Sequence, residues 1–101
     1  MPYKRTCLEC NGGFVSRQYS SDFCCAACRR TFNNRRAQRG AALYDLLMIE
    51  ATDPDAFQKH RLDDRASAMV EAFKREDEAE GRKRSHKRAS DVQADTLRYQ
   101  S

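Results

Sequence analysis

The chain has 101 residues, of which 34% are charged and 40% are hydrophobic, and its formal net charge at pH 7 is +4. A chain of this length forms at most one ordinary domain, and its large charged share leaves too little apolar material for a large core. No stretch approaches the roughly 18 apolar residues of a membrane span, and the first residues lack the apolar run of a signal peptide. We therefore expect a cytoplasmic protein without membrane helices.

The charges fall into three blocks along the chain. Residues 1–40 carry eight Lys or Arg against two Asp or Glu, residues 41–80 carry five against eleven, and residues 81–101 carry six against two. Such a distribution lets both basic ends approach a polyanion while the acidic middle remains solvated. Alternatively, the middle neutralises the two ends.

Five cysteines lie between Cys7 and Cys28, an odd number that argues against a secreted disulfide framework and in favour of metal binding. Cys7 and Cys10 form a C-x-x-C pair, typical of one half of a tetrahedral zinc site. A helix beginning at Cys24 would place Cys24 and Cys28 one turn apart on one side, which favours this second pair over one containing Cys25. We predict one structural Zn²⁺ bound by Cys7, Cys10, Cys24 and Cys28, with Cys25 in place of Cys24 as the open alternative. A redox pair or an iron–sulfur cluster is the competing interpretation.

The segment between the cysteine pairs predicts a knuckle turn and a short hairpin, because Gly12-Gly13 precede the apolar pair Phe14-Val15. Ser20, Ser21 and Asp22 are candidate N-caps for the helix near Cys24. Phe32 follows Cys28 by one helical turn, so we expect it to pack over the knuckle with Phe14 and Val15.

Residues 24–52 contain no proline, and Gly40 separates a basic half from an apolar half, which predicts two helices or one helix kinked at that glycine. Pro54 ends this stretch, and a further helix is expected at about 55–80 with an apolar stripe that includes Met69 and Phe73. After Gly81 comes a basic run too polar to bury anything, followed by a possible short helix near 91–99.

We therefore expect a mainly α protein with a small zinc-bound β-hairpin. The predicted organisation is a zinc-binding treble-clef module at 1–40, a helical hairpin at 41–80 and a basic, flexible tail at 81–101.

Residues 7–29 resemble the treble-clef zinc fingers with an FCS-type signature, in which a C-x2-C knuckle is followed by Phe-Cys-Ser-x-x-Cys-Arg. The small bacterial DNA gyrase inhibitor proteins share this spacing. The present chain has Cys25 where the signature has serine, and it lacks the acidic, tryptophan-containing segment that those inhibitors have after the last cysteine. The resemblance covers about a quarter of the chain and implies a zinc-bound fold element in a bacterial or phage protein.

A polar stripe follows the last cysteine, because Arg29, Asn33 and Arg36 recur at helical spacing. These residue types hydrogen-bond base edges and phosphates, so we predict a non-catalytic, nucleoid-associated regulator that binds duplex DNA through a basic helix. The candidate nucleic-acid contacts are Arg29, Arg30, Asn33, Arg35, Arg36, Arg39, Arg82, Lys83, Arg84, Lys87 and Arg88. The competing interpretation is a solvated helix whose arginines pair with the acidic 63–80 segment.

The alternative function is a zinc-finger adaptor or inhibitor that binds a DNA-processing or transcription enzyme such as gyrase or RNA polymerase. Its candidate contact residues are Leu43, Tyr44, Leu47 and Met48, in a run that is apolar on more than one face. We expect no catalysis, because four thiolates fill the zinc shell and His60 and His86 lie in charged, exposed surroundings. We expect no small-molecule substrate and no membrane partner.

Overall fold

In a computed structural model, residues 2–57 and 62–100 are described, and they are mainly helical with one antiparallel hairpin at the N-terminal end. This confirms the predicted fold class. Strand β1 (Tyr3–Thr6) pairs with strand β2 (Gly13–Ser16), and Arg5 lies opposite Phe14. The prediction that the hairpin lies between the cysteine pairs is wrong in one respect, since its first strand precedes the first cysteine. The C-x-x-C pair therefore sits in the hairpin's connection.

Helix α1 (Ala26–Thr52) runs for 27 residues without interruption through Gly40. Of the two alternatives that the sequence left open, two separate helices are therefore wrong and a single helix is present. Cys25 is its N-cap residue and makes no side-chain cap hydrogen bond, so the prediction of a cap at 20–22 is wrong. The helix ends where the Asp53 N–H bonds the carbonyl of Ile49 and a 3₁₀ turn (Pro54–Phe57) begins.

Helix α2 (Leu62–Ala79) packs against α1. Part of the helix that was predicted at 55–80 lies outside the described residues, and so does His60. Gly81 adopts φ +73°, in the left-handed region that glycine favours. The N–H of Arg82 bonds the Asp77 carbonyl at 2.8 Å, and the N–H of Gly81 bonds the Glu78 carbonyl at 3.1 Å. These two bonds form a Schellman motif, which explains why α2 ends and the chain turns back.

The segment after Gly81 leads into helix α3 (Ala89–Thr96) and a 3₁₀ turn (Leu97–Tyr99), so the short helix expected near 91–99 is present. The prediction that the preceding basic run buries nothing is wrong. Ser85 is only 5% exposed, because its hydroxyl is held between charged side chains of α1 and α2. Among residues 2–57 and 62–100, no helix is long and apolar enough to cross a membrane.

The apolar core is small and centres on Cys7, Phe32 and Leu46. Phe32 is buried as predicted, and its ring meets the ring of Phe23 edge to face at a centroid distance of 5.0 Å. Val15 is 65% exposed, so its expected place beside Phe32 is wrong. Since the described residues bury so little apolar area, polar interactions must contribute to the stability of the N-terminal part.

Candidate metal centre and basic surface

The knuckle that holds the first cysteine pair is closed by backbone hydrogen bonds. The Cys7 N–H bonds the Gly12 carbonyl at 2.8 Å, and the Asn11 N–H bonds the Cys7 carbonyl at 2.9 Å. Asn11 takes a left-handed conformation with φ 61°, which asparagine tolerates better than most residues. A Cβ atom on Gly12 would lie 3.3 Å from the Cys10 sulfur, so a larger residue would press on the cluster.

Four sulfur atoms meet where this knuckle faces the beginning of α1. Those of Cys7, Cys10, Cys24 and Cys28 all lie within 4.8 Å of one another, and none is in a disulfide. Cys24 Sγ is 3.7 Å from both Cys10 Sγ and Cys28 Sγ. Four thiolates around an ion at about 2.3 Å would have their sulfurs about 3.8 Å apart at the corners of a tetrahedron. The four cysteines can therefore coordinate a metal ion, in the arrangement of a zinc-finger-like site.

The ionisation of the cluster also depends on its geometry. Burial disfavours the Cys7 thiolate, but the backbone N–H groups of Cys10, Cys24 and Glu9 stabilise it, and the pKa of Cys7 falls to about 6. Contact with Cys28 lowers the pKa of Cys24, and contacts with Cys10 and Cys7 raise it. The net effect is an increase, to a pKa of about 12. Neighbouring thiolates repel one another, so the four sulfurs can all ionise only around a cation.

Cys25 lies next to this group without belonging to it. Its sulfur is 3.8 Å from Cys24 Sγ, but the set of four mutually close sulfurs contains Cys24 and not Cys25. The Cys28 N–H lowers the pKa of the exposed Cys25 thiol. The geometry thus favours Cys24 as the third ligand.

Comparison of the chain with protein families, curated proteins and solved structures finds no match.

A network of ion pairs connects the metal knuckle to the rest of the chain. Glu9, between the first two cysteines, accepts two hydrogen bonds from Arg35 of α1, with Nη1–Oε2 3.0 Å and Nη2–Oε1 2.5 Å. Arg35 Nε donates to Ser85 Oγ at 2.9 Å, and Ser85 Oγ donates to Asp77 Oδ1 of α2 at 2.8 Å. One continuous chain of polar contacts therefore joins the knuckle, both long helices and the segment after Gly81.

Asp77 is the centre of this network. Arg39 Nη1 donates to its Oδ2 at 3.2 Å and Arg82 Nε donates to its Oδ1 at 3.0 Å, and the Asp77 side chain is 13% exposed. Burial raises the pKa of the Asp77 carboxyl, but the donors Arg39, Ser85 and Arg82 outweigh it, so the pKa lies below its ordinary value. Arg39 also donates to Glu76 and stacks over the ring of Phe73.

This network removes three of the predicted nucleic-acid contacts from the free surface. Arg35, Arg39 and Arg82 each pair with an acidic side chain. Arg39 of α1 pairs with Asp77 of the acidic 63–80 segment, as the competing interpretation proposed, whereas Arg35 pairs most closely with Glu9 of the knuckle. The physical reason is helical spacing, since residues 35 and 39 lie on the side of α1 that also carries Phe32 and Leu46.

The other predicted contacts remain accessible to differing degrees. Arg29, Arg30 and Asn33 are exposed on α1, and among the described residues Arg29 and Arg30 have no carboxylate partner. Arg36 is half-buried and donates to Asn33 Oδ1 at 3.2 Å. On the segment after Gly81, Lys83, Lys87 and Arg88 are exposed and Arg84 is half-buried.

Two clefts bring these separate regions together. A cleft of about 190 Å³ is lined by Asn33 and Arg36 of α1 and by Arg84, Lys87 and Arg88. We call this group, together with the adjacent Arg29, the basic surface. Residues some 50 positions apart in the sequence thus share one depression, whose lining includes two carboxylates, Asp22 and Asp91.

The second cleft, of about 360 Å³, continues from the first across Arg84 and Arg88. Lys4, Arg5 and Lys83 also line it, and Asp22 is its only lining carboxylate. Asp22 Oδ1 is 3.1 Å from Arg88 Nη2 and 3.5 Å from Arg5 Nη2, which fixes both guanidinium groups at the cleft.

Sequence reasoning missed four contributors to these sites: Lys4, Arg5, Glu9 and Asp77. The pair Lys4-Arg5 is separated from the first cysteine by Thr6 alone, and this proximity to the knuckle was an available signal. Glu9 and Asp77 carry no such signal, because their partners are far away in sequence.

The residues predicted to contact a protein partner differ in exposure. Tyr44, Leu47 and Met48 are exposed, whereas Leu43 is half-buried.

Proposed function

We propose that Cys7, Cys10, Cys24 and Cys28 bind one structural Zn²⁺ ion. The observation that supports this is the set of four sulfurs at separations suited to a tetrahedral thiolate shell. Such an ion would hold the hairpin against the beginning of α1 and supply an apparent free energy on the order of 10 kcal/mol to a module that buries little apolar area. Four thiolates complete the shell and leave no open position, so we propose no catalytic role for the metal.

Metal analysis of two neighbouring cysteine variants tests the site. Protein purified under reducing conditions should contain one zinc per chain by mass spectrometry, and Co²⁺ should replace zinc with the absorption of a tetrahedral thiolate site. Cys24→Ser should lose the metal, whereas Cys25→Ser should keep it. Retention by Cys24→Ser and loss by Cys25→Ser would reverse the ligand assignment, and iron in place of zinc would refute the proposal.

We further propose that the zinc-bound protein is a non-catalytic regulator that binds duplex DNA through the basic surface. The supporting observation is that Asn33 and Arg36 of α1 share a cleft with Arg84, Lys87 and Arg88. Arginine and asparagine side chains on an exposed helix can reach base edges, and the neighbouring cations can contact phosphates. The second cleft, with Lys4, Arg5 and Lys83, extends the positive surface along a path that a DNA backbone can follow.

Fluorescence anisotropy with duplex DNA of random sequence, measured over a salt series, tests this function. Arg29→Ala/Arg36→Ala removes two cations of the basic surface, and Arg17→Ala/Arg75→Ala removes two exposed arginines elsewhere as a matched control. If both arginines contact phosphates, the first variant should reduce the salt slope by about 2. The control should bind like the unchanged protein.

The DNA proposal would be refuted by two results. One is the absence of binding at low salt by protein shown to contain its metal. The other is an equal loss of binding in the control variant, which would show that only net charge matters.

The second candidate function, an adaptor that binds a bacterial enzyme such as gyrase or RNA polymerase, is favoured by one observation. Tyr44, Leu47 and Met48 expose large apolar side chains on one region of α1. Binding of this kind should be weakly dependent on salt and should be reduced by Tyr44→Ala or Met48→Ala, while Arg29→Ala/Arg36→Ala should leave it unchanged. The opposite pattern supports the DNA function.

A further inference from the structure

The side of α1 that faces away from α2 carries an exposed apolar seam. It consists of Ala37, Ala41, Tyr44, Met48 and Ala51, which we call the α1 seam. All five residues are exposed, with Tyr44 at 62% and Met48 at 44%. They recur at alternating intervals of four and three residues, the spacing with which one helix presents a continuous face to another. Phe32 and Leu46, which are buried, lie on the opposite side of the helix.

The seam differs from scattered exposed apolar residues. Tyr44 and Met48 are one turn apart, and the exposed side chain of Leu47 borders them. Contiguous apolar surface of this kind marks an interaction site. No charged residue occurs among the five positions, so a partner helix could approach without burying an ion.

We propose that the occupant of this seam is the α1 helix of a second copy of the chain, packed antiparallel about a two-fold axis. The charge distribution of α1 supports this occupant. The N-terminal half carries Arg29, Arg30 and Arg36 outside the Glu9 and Asp77 ion pairs and has no acidic residue, whereas Asp45, Glu50 and Asp53 lie in or next to the C-terminal half. An antiparallel pair places each basic half beside the other copy's acidic half, whereas a parallel pair would align these arginines with the same arginines of the second copy.

The sizes of the seam residues fit the same arrangement. An antiparallel register that pairs Ala41 with Tyr44 of the second copy also pairs Ala37 with Met48 of the second copy. Each large side chain then meets an alanine, which allows the two helices to pack closely. In a parallel pair in register, Tyr44 would instead face Tyr44 and Met48 would face Met48. A two-fold interface requires such self-complementarity, because the same surface serves both copies.

The two α1 arginines of the basic surface stay accessible in this arrangement. Arg29 and Arg36 lie on a neighbouring side of α1 and toward its N-terminal end, outside the five seam positions. The dimer does not depend on DNA binding or on the proposed function, and each can fail independently of the other.

Light scattering coupled to size-exclusion chromatography tests the dimer with the zinc-loaded full chain under reducing conditions, which exclude intermolecular disulfides. The expected mass is twice the 11.7 kDa of one chain. Ala37→Glu alone or Met48→Lys alone should reduce the mass to that of one chain, because each puts a charge against an apolar residue. Val15→Glu, an equivalent change at an exposed residue of β2, should leave the dimer intact.

The double variant Ala37→Glu/Met48→Lys decides the orientation. In the proposed register each new Glu faces a new Lys of the second copy, so the dimer mass should return. A parallel dimer would place Glu against Glu and Lys against Lys, and the double variant would remain monomeric. Restoration also shows that both substituted chains fold. A monomeric unchanged protein at the highest soluble concentration, or a double variant that stays monomeric, would overturn the proposal.

Discussion

Replacement of Asp77 by Asn tests whether the buried ion network holds the molecule together. The substitution keeps the size of the side chain but removes the charge that Arg39 and Arg82 face, and both of these side chains are as buried as that of Asp77. Removing one partner of a buried pair costs about 3–5 kcal/mol. Asp77 is partly accessible to water and Asn keeps an acceptor oxygen, so we expect the free energy of unfolding to fall by about 3 kcal/mol.

The sign of the pH dependence follows from the lowered pKa of Asp77. A carboxyl with a lowered folded-state pKa contributes stability at pH values above its unfolded-state pKa and loses it as the pH falls through the folded-state pKa. The whole contribution is therefore present at neutral pH. The difference in free energy between the unchanged protein and Asp77→Asn should be constant across the neutral range.

Urea unfolding followed by circular dichroism, with metal-loaded protein, measures this difference. Glu78→Gln is the matched control, because it removes the same charge from the adjacent, exposed position of α2. We expect this control to change the free energy of unfolding by less than about 0.5 kcal/mol. A loss below about 1 kcal/mol in Asp77→Asn, or a loss equal to that of Glu78→Gln, would show that the network contributes no more than surface charges do.

Three further predictions concern the core, two glycines and the metal. Phe32→Ala should cost about 3 kcal/mol or more in the same urea assay, because the ring is 4% exposed, whereas Val15→Ala at an exposed strand position should cost little. Gly40→Ala should raise the free energy of unfolding by about 0.5–1 kcal/mol and Gly81→Ala should lower it by about 1 kcal/mol, since both sites have room for a Cβ but only Gly81 has a positive φ. A chelator should remove the hydrogen-exchange protection of the Cys7 amide before that of the α2 amides. Equal effects of the two glycine substitutions, or a protected Cys7 amide in metal-free protein, would contradict the respective prediction.

Local chemistry made the metal centre predictable. A C-x-x-C pair needs only one tight turn, and Cys24 and Cys28 lie at and just before the first turn of α1, so the spacing of the cysteines already indicates two halves of a tetrahedron. The helices were predictable for a similar reason, because proline and glycine positions and the recurrence of apolar residues act within a few turns of chain. The hairpin strand before Cys7 was missed, since it has only four residues, three of them consecutive polar ones, and so gives no alternating pattern.

The roles of the arginines depended on tertiary structure. Arg29, Arg35, Arg36 and Arg39 look alike in the sequence, and each fits an exposed basic helix. Packing of α2 against α1 divides them, because the Schellman turn at Gly81 directs the chain back and brings Ser85 beside Asp77 and Arg35. The contact between Arg35 and Ser85 joins residues 50 positions apart, so it depends on how the two long helices pack.

The sequence by itself therefore determined the cysteine cluster, the mainly helical fold and the presence of basic segments, because each of these rests on interactions within a few residues. Only the tertiary structure decided which cations are neutralised within the chain, which ones share a cleft and which side of α1 remains uncovered. The physical reason is that ion pairing and burial depend on how close two elements lie in space. The spacing of residues along the sequence does not specify that distance.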